Sequence, residues 1–315
     1  MINMKNIIMD VDTGLDDAVA IIFATLQENL KIAGITTVNG NRPVNQVVEN
    51  TLRVVEALNK NIPVYKGSAL PLNAFKNRKE GFPYSEDVST HMHGIYLNLP
   101  KTKLKVHKEM AISFLHEYLT QNTNTTIVAI GPLTNIAQLI TIDPKIKEKI
   151  ENLVILGGGI NLGNVTHFAE FNFWADPEAA KIVLNSGINI NLITLNEANL
   201  AKVDAKKLEE LLGKNTKTRE SKILFNLMKN SLSNSKGSVT LYDMLTIAYL
   251  AKEEIIQFEP MNLDVKVSIN DKEHDGELLF ERCKSSNIMV SKYIDIEMLW
   301  TFMKESLNKS FDLLN

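Results

Sequence analysis

Four aspartates crowd into eight residues near the start of the chain. Asp10, Asp12, Asp16 and Asp17 lie in the stretch Ile7-Ile8-Met9-Asp10-Val11-Asp12-Thr13-Gly14-Leu15-Asp16-Asp17-Ala18. An apolar run leads into them and a helical pattern leaves at once, so the stretch reads as strand, tight turn at Gly14, then helix. On a strand, Asp10 and Asp12 face the same side. Asp16 and Asp17 fall in the first helical turn, where free N–H groups and the helix dipole favour anions. The dipole cannot offset four converging charges, because two carboxylates about 5 Å apart repel by roughly 3 kcal/mol at an effective dielectric near 20. Either some carboxyls stay protonated or a cation sits among them. An all-oxygen cluster calls for a hard divalent ion, Ca²⁺ or Mg²⁺, rather than zinc.

The elements that must hold these acids alternate between strand and helix. Strands are expected at Ile32–Val38, Ile62–Tyr65, Thr126–Ile130, Leu153–Leu156 and Ile190–Leu195. Helices are expected at Val44–Leu58, Met110–Leu119, Leu133–Ile140 and from Asp176-Pro177-Glu178 to Gly187, the last with an acidic cap and proline at its first position. Repeated βα units predict an α/β fold: an open, mostly parallel twisted sheet with helices on both faces. The last third changes character. Leu208–Leu232 and Leu241–Ala251 read as helical, Leu263–Val267 and Leu278–Arg282 as a small antiparallel C-terminal hairpin, Asn287–Ile294 as a strand and Ile296–Leu307 as a closing helix. With no low-complexity linker and no internal repeat, residues 1–315 are expected to form a single domain. The segment Ser68–Lys103 has no clear pattern, which in a compact domain marks either a lid over a site or a surface excursion.

A net charge of −3 gives no basic footprint for nucleic acid. No apolar run approaches the ~20 residues that span a bilayer, and no apolar leader precedes Asp10, so a cytoplasmic protein with no membrane partner is expected. The one cysteine, Cys283, excludes an intrachain disulfide and reads as a buried thiol in a strand.

In a parallel sheet, ligands bind beyond the carboxyl ends of the strands. Beyond these strands lie the four aspartates, then Asn39 and Asn41, Ile130-Gly131, Gly157-Gly158-Gly159, Asn164, and Glu170-Phe171-Asn172. These are metal ligands and hydroxyl binders. No lysine or arginine stands among them to grip a phosphate, and no Gly-x-x-x-x-Gly-Lys loop exists. Many acceptors and few cations suit a neutral, hydroxyl-rich ligand such as a sugar.

The stretch Asp10-Val-Asp12-Thr-Gly14-Leu-Asp16-Asp17-Ala18-x-Ala20 closely resembles the N-terminal signature of the inosine-uridine preferring nucleoside hydrolases. Further segments resemble that family in order: Ile35-Thr-Thr-Val-Asn-Gly-Asn41, His93-Gly94, Gly131-Pro-Leu-Thr-Asn135, Gly157-Gly-Gly, Gly163-Asn164, Glu170-Phe-Asn172 and Asp176-Pro-Glu-Ala-Ala180. The resemblance implies Ca²⁺-dependent hydrolysis of the N-glycosidic bond of ribonucleosides, by a dimer or tetramer. It implies that Asp12, Asp17, the main-chain carbonyl of Ile130 and Asp243 hold the Ca²⁺, with Asp12 also the general base toward the water on the metal. Asp16 would bind the ribose 2′-hydroxyl, Asn164, Glu170 and Asn172 the remaining hydroxyls, Asn41 would line the pocket, and Asp10 would support them from behind. The oxocarbenium-like transition state would be stabilised by the nearby carboxylates.

The chain departs from the family pattern in three places. Tyr242 precedes Asp243 where many members carry a histidine that activates the leaving base, and tyrosine, with a reference pKa near 10, is a weaker acid. Thr13 stands where proline is common. Ile95-Tyr96-Leu97-Asn98 lacks the usual glycines after His93. Leaving-group activation thus falls to Tyr242 or His93, His91 being a second candidate to reach the base, and Tyr84 and Tyr96 are candidates to stack on it. Trp174 and Trp300 read as core residues. Two alternatives stand beside this reading. Asp10-x-Asp12 after a strand also mimics the haloacid dehalogenase-like phosphatases, although Asp16 and Asp17 have no role there. A non-catalytic nucleoside- or ribose-binding protein with a retained Ca²⁺ site would equally keep the acids.

Overall fold

Alternate residues of the buried strands point to opposite faces, and this sorts the core into two layers. The structure is a computed structural model that describes residues 4–73, 96–213, 218–235, 237–268 and 270–312. Its strands are β1 (Lys5–Val11), β2 (Leu30–Thr37), β3 (Val64–Lys66), β4 (Thr125–Ala129), β5 (Ile150–Leu156), β6 (Ile190–Ile193), β7 (Lys202–Asp204), β8 (Ser238–Thr240), β9 (Ile256–Val265), β10 (Leu278–Arg282) and β11 (Ile288–Ile294). Its helices are α1 (Leu15–Thr25), α2 (Val44–Ala57), α3 (Ala111–Gln121), α4 (Thr134–Ile142), α5 (Phe171–Ala175), α6 (Pro177–Leu184), α7 (Leu195–Ala198), α8 (Ala205–Leu212), α9 (Arg219–Asn234), α10 (Met244–Ala251) and α11 (Ile296–Asp312). On β1, Ile7, Met9 and Val11 join the layer packed by α1, α2 and α8–α11, while Ile8 joins the layer packed by α3, α4 and α6. On β5, Val154 and Leu156 take the first layer, Leu153 and Ile155 the second.

Nine strands form one mixed sheet in the order β10-β9-β11-β6-β5-β4-β1-β2-β3. The run from β3 to β6 and on to β11 is parallel, and β9 pairs antiparallel with both β11 and β10. The expected mostly parallel sheet and C-terminal hairpin are therefore present. The strand order reverses direction between β1 and β4, and such a reversal opens a crevice at the carboxyl ends of the two strands. Asp12 follows β1 there and Ile130 follows β4.

Several expectations are corrected. The helical run Leu208–Leu232 is two helices, because Gly213 ends α8 with a positive φ of 54° and Thr218 caps α9 afresh, its hydroxyl accepting from Ser221 N. The helix expected from Leu241 starts at Met244, and Leu241 to Asp243 form the approach to it. The short antiparallel pair β7–β8, unforeseen, frames this approach. Cys283 lies past the end of β10, half-buried, with its thiol against Ser285 O. Trp174 is only half-buried, and so is Trp300, which packs beside the core with the Lys207 ammonium 5.5 Å from its ring centre. In the patternless segment, residues 68–73 and 96–103 contain no helix or strand. His91, His93 and Tyr84 lie outside the described residues. No helix among the described residues is long and apolar enough to cross a membrane.

Candidate active site

The turn between β1 and α1 is built by one of its own acids. Asp17 reaches back so that Oδ1 accepts from Asp12 N (3.1 Å) and Oδ2 from Gly14 N (2.8 Å). A carboxylate at the third helical position thereby satisfies donors that the helix start leaves open. Both Asp17 oxygens keep further lone pairs for a ligand. Asp12 is fixed from the β2 side, where Asn41 N donates to its Oδ2 (2.6 Å). The residue before, Gly40, leaves room for this: a Cβ there would overlap the Asp12 carboxylate. Asp10 is wholly buried behind the turn. Its Oδ1 accepts from Thr36 Oγ1 (2.5 Å) and Asn135 Nδ2 (2.7 Å).

Asp243, at the start of α10, arrives from the far end of the chain to meet these acids. Carboxylate oxygens of Asp16, Asp17 and Asp243 all lie within 4.8 Å of one another. Burial raises every member. Asp16 is pushed up to about 6 and Asp17 to about 7 by desolvation, with the Asp16 charge adding to the rise at Asp17. Asp12 and Asp243 rise well above the usual carboxylate range, first by burial and then by repulsion from their acidic neighbours. Mutual repulsion of this kind is what a divalent cation relieves, and three convergent carboxylates form a hard, all-oxygen donor set. The residues therefore fit the metal that the acid run called for.

The opposite wall comes from the residues after β5. Glu170 caps α5, its Oε1 accepting from Asn172 N (2.9 Å) and its Oε2 from Gly158 N (2.9 Å) and Phe173 N (3.2 Å). Burial moves its carboxyl up to about 7, and the Asp16 charge adds to this. The Asn172 amide gives both protons to carbonyls at the sheet edge, Ile130 O (3.0 Å) and Leu156 O (3.1 Å), which leaves its Oδ1 as an acceptor. Tyr242 is half-buried and its hydroxyl donates to Asn199 Oδ1 (3.2 Å). Desolvation, and then the charges of Asp16, Glu170 and Asp243, push the phenol upward, so it stays protonated.

Asp12, Asp16, Asp17, Asp243 and Glu170 thus come together, with Ile130 and Asn172 joined at their edge. Two residues sit differently from the simplest picture. Asn164 is exposed and its Oδ1 accepts from Phe171 N (2.9 Å). Asn41 meets Asp12 through its backbone, and it is Asn39 whose side chain is buried, its amide directed at Ser68 O (3.4 Å). Tyr96 is 43% exposed, with the Arg53 guanidinium over its ring at 4.6 Å. Sequence reading missed Asn135, whose amide ties Asp10 to Thr37 O and accepts from Ser68 N. Its signal was its place in Gly131-Pro-Leu-Thr-Asn135. Asn199 carried no local signal at all.

A buried acid cluster at the switch point of a doubly wound sheet, faced by amides and a second carboxylate, defines a class: an α/β protein built to bind a cation beside a hydroxyl-rich ligand. The comparisons are narrower. The sequence pattern of the family described as inosine-uridine preferring nucleoside hydrolase matches residues 7–301, and the chain belongs to that family, whose members hydrolyse the N-ribosyl bond of ribonucleosides. It is 31% identical over 309 residues to a non-specific ribonucleoside hydrolase of Escherichia coli, covering 96% of this chain and 97% of that one. It is 33% identical over 259 residues to a pyrimidine-specific ribonucleoside hydrolase of Salmonella paratyphi A, covering 79% and 80%. A plant nucleoside hydrolase structure superposes with a TM-score of 0.83 at 26% identity, over 96% of this chain and 98% of that one. The phosphatase alternative gives way to this membership.

Proposed function

We propose that the protein is a Ca²⁺-dependent ribonucleoside hydrolase in which Asp12 is the general base. The observation that carries this reading is the convergence of Asp16, Asp17 and Asp243 beyond the carboxyl end of β1, with Asp12 and Glu170 near enough to repel Asp243. Asp12, Asp17, Asp243 and the carbonyl of Ile130 would hold the Ca²⁺, which when bound offsets the clustered charge and makes a water more acidic. Asp12 takes the proton from the attacking water. Its Oδ2 is already oriented by Asn41 N, so the carboxylate needs little rearrangement to act. Asp16 accepts from the ribose 2′-hydroxyl, and Glu170, Asn172 and Asn164 accept from the other hydroxyls, with the Asn41 segment lining the pocket. Asp10 holds the turn from behind through Thr36 and Asn135.

As the glycosidic bond lengthens, positive charge grows on the sugar, and Asp16 and Glu170 stand where it develops. Tyr242 remains protonated and donates a hydrogen bond to the departing base, with His93 the second candidate for this task. We also read the protein as a cytoplasmic homo-oligomer, dimer or tetramer, in keeping with its single unpaired cysteine. Light scattering of the purified chain tests the oligomer. The activity is tested by incubating the protein with uridine, cytidine, inosine and adenosine, with Ca²⁺ or with a chelator, and assaying released reducing sugar. Cleavage that needs Ca²⁺ supports the reading. Cleavage unaffected by chelation overturns its metal clause, and no cleavage of any ribonucleoside overturns the whole.

A further inference from the structure

The Asp12–Asp17 turn is gripped from a second direction that none of its acids supplies. Thr13, Asn50 and Thr51 are all fully buried. Asn50 Nδ2 donates to Thr13 O (3.1 Å), and the hydroxyls of Thr13 and Thr51 lie 2.7 Å apart. Thr51 spends its single proton on Val47 O (2.8 Å), one turn back along α2. The contact between the two hydroxyls therefore has Thr13 as donor and Thr51 as acceptor.

The peptide unit joining Thr13 to Gly14 is planar, so its carbonyl and its N–H move together. Here the carbonyl is held by Asn50 and the N–H by Asp17 Oδ2. Rotation of this one plane would withdraw a donor from Asp17 and re-aim a carboxylate of the convergent cluster. We propose that Asn50, by holding the Thr13 carbonyl, and Thr51, by satisfying the buried Thr13 hydroxyl, are positioning residues through which α2 sets the affinity of the acid cluster for its cation. The same helix also fixes the returning chain: Asn50 Oδ1 accepts from Leu97 N (3.1 Å), and Arg53 donates to Leu97 O and Leu99 O. The inference rests on reading the acids as a divalent-cation site.

The donor assignment makes the test asymmetric. Removing the acceptor with Thr51→Val leaves a buried Thr13 O–H unsatisfied, and the turn must shift to satisfy it. Removing the donor with Thr13→Val leaves Thr51 its bond to Val47 O. Calorimetric titration of the full-length protein with CaCl₂ is expected to show Ca²⁺ binding weakened about tenfold in T51V, within about threefold of wild type in T13V, and restored to within about threefold in the T13V/T51V double variant. Thr51→Ser keeps the acceptor and should bind as wild type. Unchanged Ca²⁺ affinity in T51V, or a double variant as weak as T51V, overturns the inference. If T51V does not fold, the double variant carries the test: binding no weaker than T13V supports the assignment, and weaker binding overturns it. A wild-type protein that binds neither Ca²⁺ nor Mg²⁺ overturns the metal reading itself, whereas wild-type binding with an unaltered T51V overturns this inference alone.

Discussion

The two ends of the site are built in different ways. Around Asp12 and Asp17 the carboxylates are held by backbone donors at 2.6–3.1 Å, and a glycine clears the space the Asp12 group occupies. At Tyr242 a phenol is steered by a bond to the side chain of Asn199 at 3.2 Å. Backbone donors move only when a peptide plane of the turn or loop moves with them, while a side-chain partner can change rotamer. The acid end is therefore fixed for one geometry. The Tyr242 end can adapt.

If that contrast is right, the largest loss follows from the fixed end. Asp12→Asn keeps an oxygen for Asn41 N and so keeps the fold, but it removes the base. Turnover of the best ribonucleoside should fall by about 1000-fold or more, within the span general-base catalysis supplies. Steady-state kinetics alongside a melting curve checks it, and an active D12N with normal Tm would take Asp12 out of the role. Next comes Gly40→Ala, which removes no reacting group. Its methyl would collide with an Asp12 carboxylate that Asn41 N already pins. A displacement approaching 1 Å is enough for a loss of about 100-fold in kcat. A fully active G40A would show that the acid end yields as readily as the Tyr242 end.

The acids also set a pH dependence. Asp16, raised to about 6, and Asp17, raised to about 7, bind protons more tightly folded than unfolded. Groups shifted this way add stability at low pH and lose it as pH rises through their folded values. In a chelator, the melting temperature should therefore fall by several degrees between pH 5.5 and 8 through this cluster. Saturating Ca²⁺ should flatten that slope and release protons on binding at pH 6, readable as a buffer-dependent binding enthalpy. A melting temperature that climbs over the same interval in chelator would contradict the assignment.

Local pattern made the acid end legible before any coordinates. Asp10 to Asp17, the strand–turn–helix around them and the capped start of α6 depend on residues adjacent in sequence. The layers followed from apolar periodicity for the same reason. What stayed hidden is long-range. The bond from Asn199 to Tyr242 spans 43 positions and that from Asn50 to Thr13 spans 37, and neither asparagine differs in type from one that closes a turn. The division of Leu208–Leu232 was missed although no apolar residue stands from Gly213 to Lys222. The mark was Gly213, which can adopt a positive φ at little cost. Cys283 follows the strand in sequence, but the β10–β9 ladder ends at the pair Arg282–Met261 while β9 itself continues to Ile256, so the thiol lies past the ladder.

The adaptable end gives the smallest expected effects and the finest discrimination. Tyr242→Phe removes one hydrogen bond from a phenol that is already unable to ionise near neutral pH. A single neutral hydrogen bond is worth about 1 kcal/mol, so kcat should fall only about fivefold, with KM nearly unchanged. Tyr242→His places a group that can carry a proton at pH 6–7 in the same position, beside Asp16, Glu170 and Asp243, whose charges favour the protonated ring. It should raise turnover or widen the range of bases cleaved, with the gain largest on the acid side of neutrality. Purine and pyrimidine ribonucleosides measured across pH 5.5–8 separate the outcomes. If Y242F and Y242H both match wild type on every base, Tyr242 does not meet the leaving group, and the task moves to another residue such as His93.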